Sequence, residues 1–192
     1  MLLEKKSSLR SKLLLKRNSL SEVEILFKTN LIFEKLFSLS IINLSTVVHC
    51  YCSNGSEVNT TKILSNLLSL KKTVSVPIVN DLNLDLSHSI LDTSTVFVQG
   101  KYNIPIPKEP QFFSISQLNQ LSTIVIVPLV GFDACCNRIG YGKGFYDRFL
   151  QKIPNAKKIG IAFAMQEVQT IPIENTDIPL DIIITEETIF YR

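Results

Sequence analysis

The sequence predicts an α/β fold: a single domain over residues 1–192, with a mostly parallel open sheet, helices on both of its faces and further helices at the N-terminus. Two observations predict it. From about residue 45 onward, short runs rich in Val and Ile alternate with stretches whose apolar residues recur at helical spacing, and such alternation builds parallel sheets. Before residue 45 the pattern is helical throughout. A hydrophobic share of 45%, with only 7 glycines and 8 prolines, is that of an ordinary globular chain. Its 192 residues suit one core.

Taken in order, Leu9, Leu13 and Leu20 mark the apolar positions of a first helix. Residues 21–24, Ser-Glu-Val-Glu, have capping-box form, in which Ser and Glu satisfy each other's backbone N–H groups. They open a second helix with Ile25, Ile32, Leu36 and Leu39 on its stripe. Residues 47–51 read as a strand, and 60–71 as a helix with Ile63, Leu64, Leu67 and Leu68 on one side. Residues 74–79 read as a strand, and Pro77, which cannot donate to a ladder, argues for a position near its end. Residues 80–120 yield only short apolar pieces, such as 95–98, interrupted by Pro105, Pro107 and Pro110. Beyond them come a strand at 124–130, a glycine loop, a helix to about 152, and strands at 158–163 and 181–185. No internal repeat or low-complexity linker divides the chain.

A formal net charge of +3 is too small to imply nucleic acid. The excess is uneven, since Lys5, Lys6, Arg10, Lys12, Lys16 and Arg17 face only Glu4 in the first seventeen residues. The four cysteines, Cys50, Cys52, Cys135 and Cys136, form no C-x-x-C pair, which points to reduced thiols and away from zinc. The start shows no continuous apolar signal region, and no stretch approaches the roughly 20 apolar residues of a membrane span. A cytoplasmic protein with no membrane partner is expected.

Residues 138–148 read Arg-Ile-Gly-Tyr-Gly-Lys-Gly-Phe-Tyr-Asp-Arg. Glycine stands at every second position from Gly140 to Gly144, just before Phe145, Phe149, Leu150 and Ile153 take up helical spacing. A glycine-rich junction of this kind either turns tightly into a helix or seats a polyphosphate, because glycine lets the ligand approach and a helix start offers free N–H groups. Arg138, Lys143, Asp147 and Arg148 favour the second reading, since a turn alone needs no charges. A Walker A loop is excluded, as Gly144 rather than Ser or Thr follows Lys143. In open α/β sheets ligands gather at the carboxyl ends of strands. That rule places 51–57, 131–144, 164–166 and Thr185 with Glu186 along one edge. On a helix, Lys6, Arg10 and Arg17 fall within about 40° of one another, a stripe that either reaches phosphates or is a solvated basic face.

In order along the chain, Lys6-Ser-Ser-Leu-Arg10, Glu57-Val-Asn-Thr60, Pro128 with Phe132-Asp133, the 138–148 motif, Gln166, Asp177 and the 181–186 segment resemble the 5-formyltetrahydrofolate cyclo-ligase family. The glycine motif is the specific part. The resemblance implies an enzyme that closes 5-formyltetrahydrofolate to 5,10-methenyltetrahydrofolate with Mg²⁺ and ATP, releasing ADP and phosphate. Amide resonance makes the formyl carbon a poor electrophile, so phosphorylation of its oxygen creates a leaving group and N10 attacks. Such chemistry asks for positioning and charge stabilisation rather than a protein nucleophile. Only two histidines exist, and His49, inside a strand, reads as structural.

On that resemblance, ATP contacts fall to Lys6, Ser7, Ser8, Leu9 and Arg10 and to Arg138, Ile139, Gly140, Tyr141, Gly142, Lys143, Gly144, Phe145 and Tyr146. Lys143 and Arg138 are the catalytic cations. Cys52, Glu57, Tyr141 and Phe145 form the folate wall, with Glu57 pairing to adjacent N–H donors of the pterin. Asp147 and Asp177 hold Mg²⁺. The implied partners are 5-formyltetrahydrofolate and ATP, with no nucleic acid, and the chain is expected as a monomer or weak dimer. Ile106 stands where the family commonly has glutamate, Asn59 where Asp is frequent, and Thr176 where His often stands. Ile106 keeps open a non-catalytic folate- or nucleotide-binding descendant. A sugar-phosphate isomerase or acyl-CoA transferase-like enzyme would leave the N-terminal motif and the Tyr-Asp-Arg unassigned.

Overall fold

The structure, a computed structural model, describes residues 2–80 and 84–192, so residues 1 and 81–83 of the predicted domain lie outside it. Two long N-terminal helices, α1 (Leu2–Asn18) and α2 (Glu22–Ser38), are followed by a short α3 (Ser40–Leu44). Then come β1 (Val47–Cys50), α4 (Thr61–Ser69), β2 (Thr73–Asn80) and β3 (Asp85–Leu91). The middle holds β4 (Phe97–Gln99), β5 (Pro105–Pro107), β6 (Gln111–Phe112) and α5 (Ile115–Gln120). The last third holds β7 (Thr123–Val127), β8 (Gly131–Phe132), β9 (Arg138–Ile139), α6 (Phe145–Lys152), β10 (Lys157–Ile161), β11 (Ile182–Ile184) and β12 (Ile189–Tyr191).

Among the described residues the main sheet has eight strands in the order β12-β11-β10-β7-β1-β2-β3-β6. The centre, from β11 through β10, β7 and β1 to β2, is parallel, and both flanks are antiparallel. β1 and β7 are buried along their whole length, as parallel strands covered on two faces must be. One face carries Ile32 and Leu36 of α2, Ile42 of α3, and Ile63, Leu64 and Leu67 of α4. The other carries Phe149 and Leu150 of α6 and Leu118 of α5. The fold class read from the sequence is therefore the one present. Ser21 caps α2 with a complete capping box, as its four residues predict.

Helix α1 lies on neither face. Leu13 packs with Val130, which leads into β8, with Ile139 of β9 and with Ile171. A Cβ at Gly131 would stand 2.3 Å from the Leu13 side chain, so the close approach of α1 requires glycine there. Asp133 fixes the hairpin turn: its carboxylate accepts from the N–H groups of Cys135, Asn137 and Ile171 and from the Asn137 amide.

Several expectations change. Pro77 sits in the middle of β2 rather than near its end, but the β1 pairing stops at Ser75, so no β1 partner is lost at Pro77. The unreadable 80–120 segment contains β3, β6, α5 and the β4–β5 hairpin. The loop after β7 contains the short β8–β9 hairpin, and β12 returns antiparallel at the edge. His49 on β1 and His88 on β3 are buried under α6, 2.9 Å apart between Nε2 and Nδ1, and both rings contact Phe149. Burial lowers both pKa values, that of His88 to about 4. Two neutral imidazoles sharing one hydrogen bond give His49 the structural place its strand implied.

Candidate active site

A cavity of about 870 Å³ opens at the carboxyl ends of β1 and β2. Residues 138–148 line it without a gap, together with Lys6 and Arg10 of α1 and Tyr51, Cys52, Asn54 and Glu57 after β1. Pro77, Val79 and Leu86 add an apolar wall, the β4–β5 hairpin adds Tyr102 and Ile104, and Glu174, Thr176 and Asp177 close the far side.

Arginines from separate elements surround the glycine loop. Arg10 Nε donates to the Gly140 carbonyl oxygen at 2.8 Å. Its guanidinium would stand 3.0 Å from a Cβ at Gly142, whose φ of +98° also disfavours any side chain. Arg138 Nη1 lies beside Gly140, while Nη2 donates to Asp147 Oδ1 at 2.7 Å. Arg148 donates to the carbonyls of Leu84 and Lys143 and stands against Gly144, the left-handed N-cap of α6. The first helical hydrogen bond runs from Arg148 N–H to Gly144 O, so the N–H groups of Phe145, Tyr146 and Asp147 have no acceptor within the helix. Burial lowers the Arg138 pKa against the opposing pull of Asp147 and Asp177, yet a guanidinium remains cationic at any physiological pH. Cationic side chains and a helix start thus converge where a polyphosphate would bind.

The lining around Glu57 is built differently. Glu57 is buried and receives the Tyr141 hydroxyl at 2.6 Å and the Asn54 N–H at 2.8 Å. Burial raises its pKa, and both hydrogen bonds and Arg17 oppose that rise. Burial pushes the Cys52 thiol up to about 12, so it lines the wall as a neutral group and not as a nucleophile. Burial likewise holds the Tyr141 and Tyr146 phenols well above their usual range.

Placement of the remaining site residues is uneven. Phe145 and Tyr146 line the cavity, whereas Ser7, Ser8 and Leu9 do not, because they turn away from the helix side that carries Lys6 and Arg10. Lys6 is paired with Asp177 at 2.5 Å and Glu174 at 2.8 Å. Burial opposes its charge, but these two carboxylates outweigh burial and raise its pKa. Lys143 bonds the Tyr102 hydroxyl and lies 4.2 Å from that ring's centre. The 164–166 and 185–186 segments, expected along the edge, do not line the cavity. The Gln166 amide donates to the carbonyls of Leu129 and Val130, and Glu186 pairs with Lys28 of α2. Ile106 also lies outside it, packed against Gly100, and Asn59 accepts from the Thr61 N–H at the start of α4.

Tyr102 was not foreseen. It and Asn103 both have positive φ at the tip of the β4–β5 hairpin, and Asn54 holds the Tyr102 carbonyl at 2.8 Å. The usual turn signal, Asn-Gly, is absent there, which hid the hairpin. For a metal, no group of three or more His, Cys, Asp or Glu gathers among the described residues. Asp147 Oδ1 accepts from Arg138 and from the Ile178 N–H, and Asp177 Oδ2 from Lys6 and the Glu174 N–H, leaving one oxygen of each outside these bonds. Mg²⁺ uses one or two carboxylates with substrate phosphates, so this pair fits it.

A family model described as the 5-formyltetrahydrofolate cyclo-ligase family matches residues 3–186. A 5-formyltetrahydrofolate cyclo-ligase of Haemophilus influenzae is 33% identical over 136 residues, covering 68% of this chain and 70% of that protein. A probable 5-formyltetrahydrofolate cyclo-ligase of Caenorhabditis elegans is 29% identical over 98% of this chain and 96% of its own. Among solved structures, the Aquifex aeolicus 5,10-methenyltetrahydrofolate synthetase superposes with a TM-score of 0.83 at 30% identity, covering 97% of this chain and 92% of that one.

Proposed function

The chain belongs to the 5-formyltetrahydrofolate cyclo-ligase family, and on that premise we propose that it uses ATP to cyclise 5-formyltetrahydrofolate to 5,10-methenyltetrahydrofolate, releasing ADP and phosphate. The observation that carries this reading is the presence of two unlike linings in one cavity. Arg10, Arg138 and Arg148 surround loop 140–144, and the buried Glu57 carboxylate lines the same cavity, bonded to Tyr141 of that loop.

In this reading the loop and the first turn of α6 hold the triphosphate, and Glu57 accepts from adjacent pterin N–H groups. Transfer of the γ-phosphoryl group forms a bond to the formyl oxygen and breaks the bond to ADP. N10 then attacks the formyl carbon and loses its proton, and the C–O bond breaks to free phosphate. Arg138 and Lys143 stabilise charge on the transferred group. Lys143 reaches it by leaving the Tyr102 ring, or keeps Tyr102 over the folate. Asp147 and Asp177 would hold Mg²⁺, which when bound neutralises phosphate charge. The apolar wall of Pro77, Val79 and Leu86 excludes water from the activated formyl group.

Ile106 does not line the cavity, which supports the catalytic reading over the binding-only descendant. We take residues 1–192 as one catalytic unit, a cytoplasmic monomer or weak dimer that needs neither nucleic acid nor membrane. No helix among the described residues is long and apolar enough to cross a membrane. The test is absorbance at the methenyl-folate band with protein, Mg²⁺, ATP and 5-formyltetrahydrofolate. An ATP-dependent rise that is lost in Arg138→Ala is expected. Folate binding without product at any ATP concentration would overturn the activity.

A further inference from the structure

Arg17 ends the cationic stripe of α1, yet it does not line the cavity that Lys6 and Arg10 reach. It is only 4% exposed, and each end of its guanidinium is engaged. Nε donates to Ser56 Oγ at 3.0 Å, Nη1 to the Leu129 carbonyl at 3.5 Å, and Nη2 to the Tyr141 hydroxyl at 2.8 Å. We infer that Arg17 is a positioning residue of the folate wall, orienting the Glu57 carboxylate through the hydroxyl of Tyr141, and not one of the cations that meet phosphate. The inference rests on the reading that Glu57 receives the pterin.

The direction of the relay follows from donor chemistry. Arginine only donates, so the Tyr141 oxygen must accept from it. A phenol has a single proton, and that proton is then aimed at Glu57 Oε1, 2.6 Å away. The Asn54 N–H takes the other carboxylate oxygen. Glu57 is thus anchored through both oxygens from one side, with its remaining lone pairs turned to the cavity it lines. Tyr141 is half exposed and sits at the centre of the glycine loop, its hydroxyl bonded to Arg17 and Glu57 and the Arg17 guanidinium 5.7 Å from its ring centre. The loop backbone itself is held elsewhere, by Arg10 on the Gly140 carbonyl and Arg148 on the Lys143 carbonyl, so the hydroxyl's task is the aim of the carboxylate.

The relay also bears on charge. The ionisable groups around Glu57 are the phenols of Tyr51, Tyr141 and Tyr146, all kept neutral by burial, and Arg17, the one cation that acts on its charge. A buried carboxylate next to neutral phenols resists ionisation, and Arg17 with the Tyr141 hydrogen bond opposes that resistance. Removing either lets Glu57 take a proton at higher pH, and a protonated carboxyl cannot accept two pterin N–H bonds.

The experiment is calorimetric binding of 5-formyltetrahydrofolate, and separately of ATP, between pH 5 and 8. It uses the wild type, Tyr141→Phe, Arg17→Met and the double variant. Folate affinity is expected to fall roughly tenfold in each single variant, the size of one hydrogen bond to a charged group. Its loss on acidification should begin at higher pH than in the wild type. The double variant should be no worse than either single one, because both cut the same chain. In Arg17→Met, ATP affinity should stay within about twofold. Weakened ATP binding with intact folate binding would return Arg17 to the phosphates. A uniform loss with no shift of the acid limb would make it merely structural, and either result overturns the inference. Tyr141→Phe keeps the ring on a half-exposed residue, so it decides the matter alone if Arg17→Met fails to fold. A wild type that binds folate but forms no product defeats the proposed activity and leaves the relay standing; one that binds no folate defeats both.

Discussion

Helices α1 and α2 are neighbours of equal length, 17 residues each, attached by different forces. The buried positions of α2 are Thr29, Ile32 and Leu36, and its start is closed by Ser21 and Glu24. Among its described residues, those of α1 are Lys6, Leu13 and Arg17, two cations to one leucine. Burial of apolar area fixes α2 to the sheet whatever the cavity contains. What fixes α1 is a set of charged hydrogen bonds that end on the cavity's own parts: Glu174 and Asp177, the Gly140 carbonyl and the Tyr141 hydroxyl. A helix joined in this way is part of the site, and one joined by leucines is part of the scaffold.

The contrast can be broken most forcefully at Ile32. Ile32→Ala removes a fully buried side chain and should cost about 2–5 kcal/mol in urea unfolding, while KM for both substrates stays unchanged in the folded fraction. A change in KM at full folding would mean that α2 also serves the site. Acid probes the other apolar-anchored helix, α6, through the histidines beneath it. Their folded-state pKa values lie below the unfolded value of 6.5, so the unfolded chain binds more protons between that value and about 4. The stability is complete above pH 6.5 and lost as pH falls toward 4. His88 alone accounts for about 3 kcal/mol, and His88→Phe should flatten most of the profile. Next in size is Arg10→Ala, which should lower kcat/KM for ATP roughly ten- to a hundredfold, about 1.4–2.7 kcal/mol, while moving the unfolding midpoint little. A large loss of stability with normal kinetics would place α1 with the scaffold. The smallest effect is Ser21→Ala, about 1 kcal/mol of stability with no kinetic change, since it removes only the cap of α2.

What the sequence reveals divides along the same line. The capping box, the 60–71 helix and the strands at 47–51 and 124–130 are local patterns, and the structure contains each of them within a residue or three at the ends. β3 is Asp-Leu-Ser-His-Ser-Ile-Leu, whose polar interior hides a strand because His88 and Ser89 find their partners on β1 and β6. The rule that ligands sit after strands named 51–57 and 131–144, and the cavity takes lining from the first and from 138–144 of the second. It also named 164–166 and 185–186, which stay outside the cavity because α1 and α2 meet the strand ends there and Lys16 and Lys28 occupy the acceptors. Nothing local tells which strand ends another helix will cover. The stripe of Lys6, Arg10 and Arg17 was legible as a stripe, but the division of its labour depends on Tyr141 and Asp177, more than a hundred residues away.

The chain's two histidines lie together beneath the helix that the glycine loop opens, stacked on Phe149, whose ring stands 6.2 Å from that of Tyr146 on the cavity wall. A sample labelled only at histidine would therefore give a magnetic-resonance spectrum from just two imidazoles, both placed to feel ring currents change when the loop fills. The molecule carries its own spectroscopic window on occupancy, one that needs no engineered dye and reads the site from the side no ligand touches.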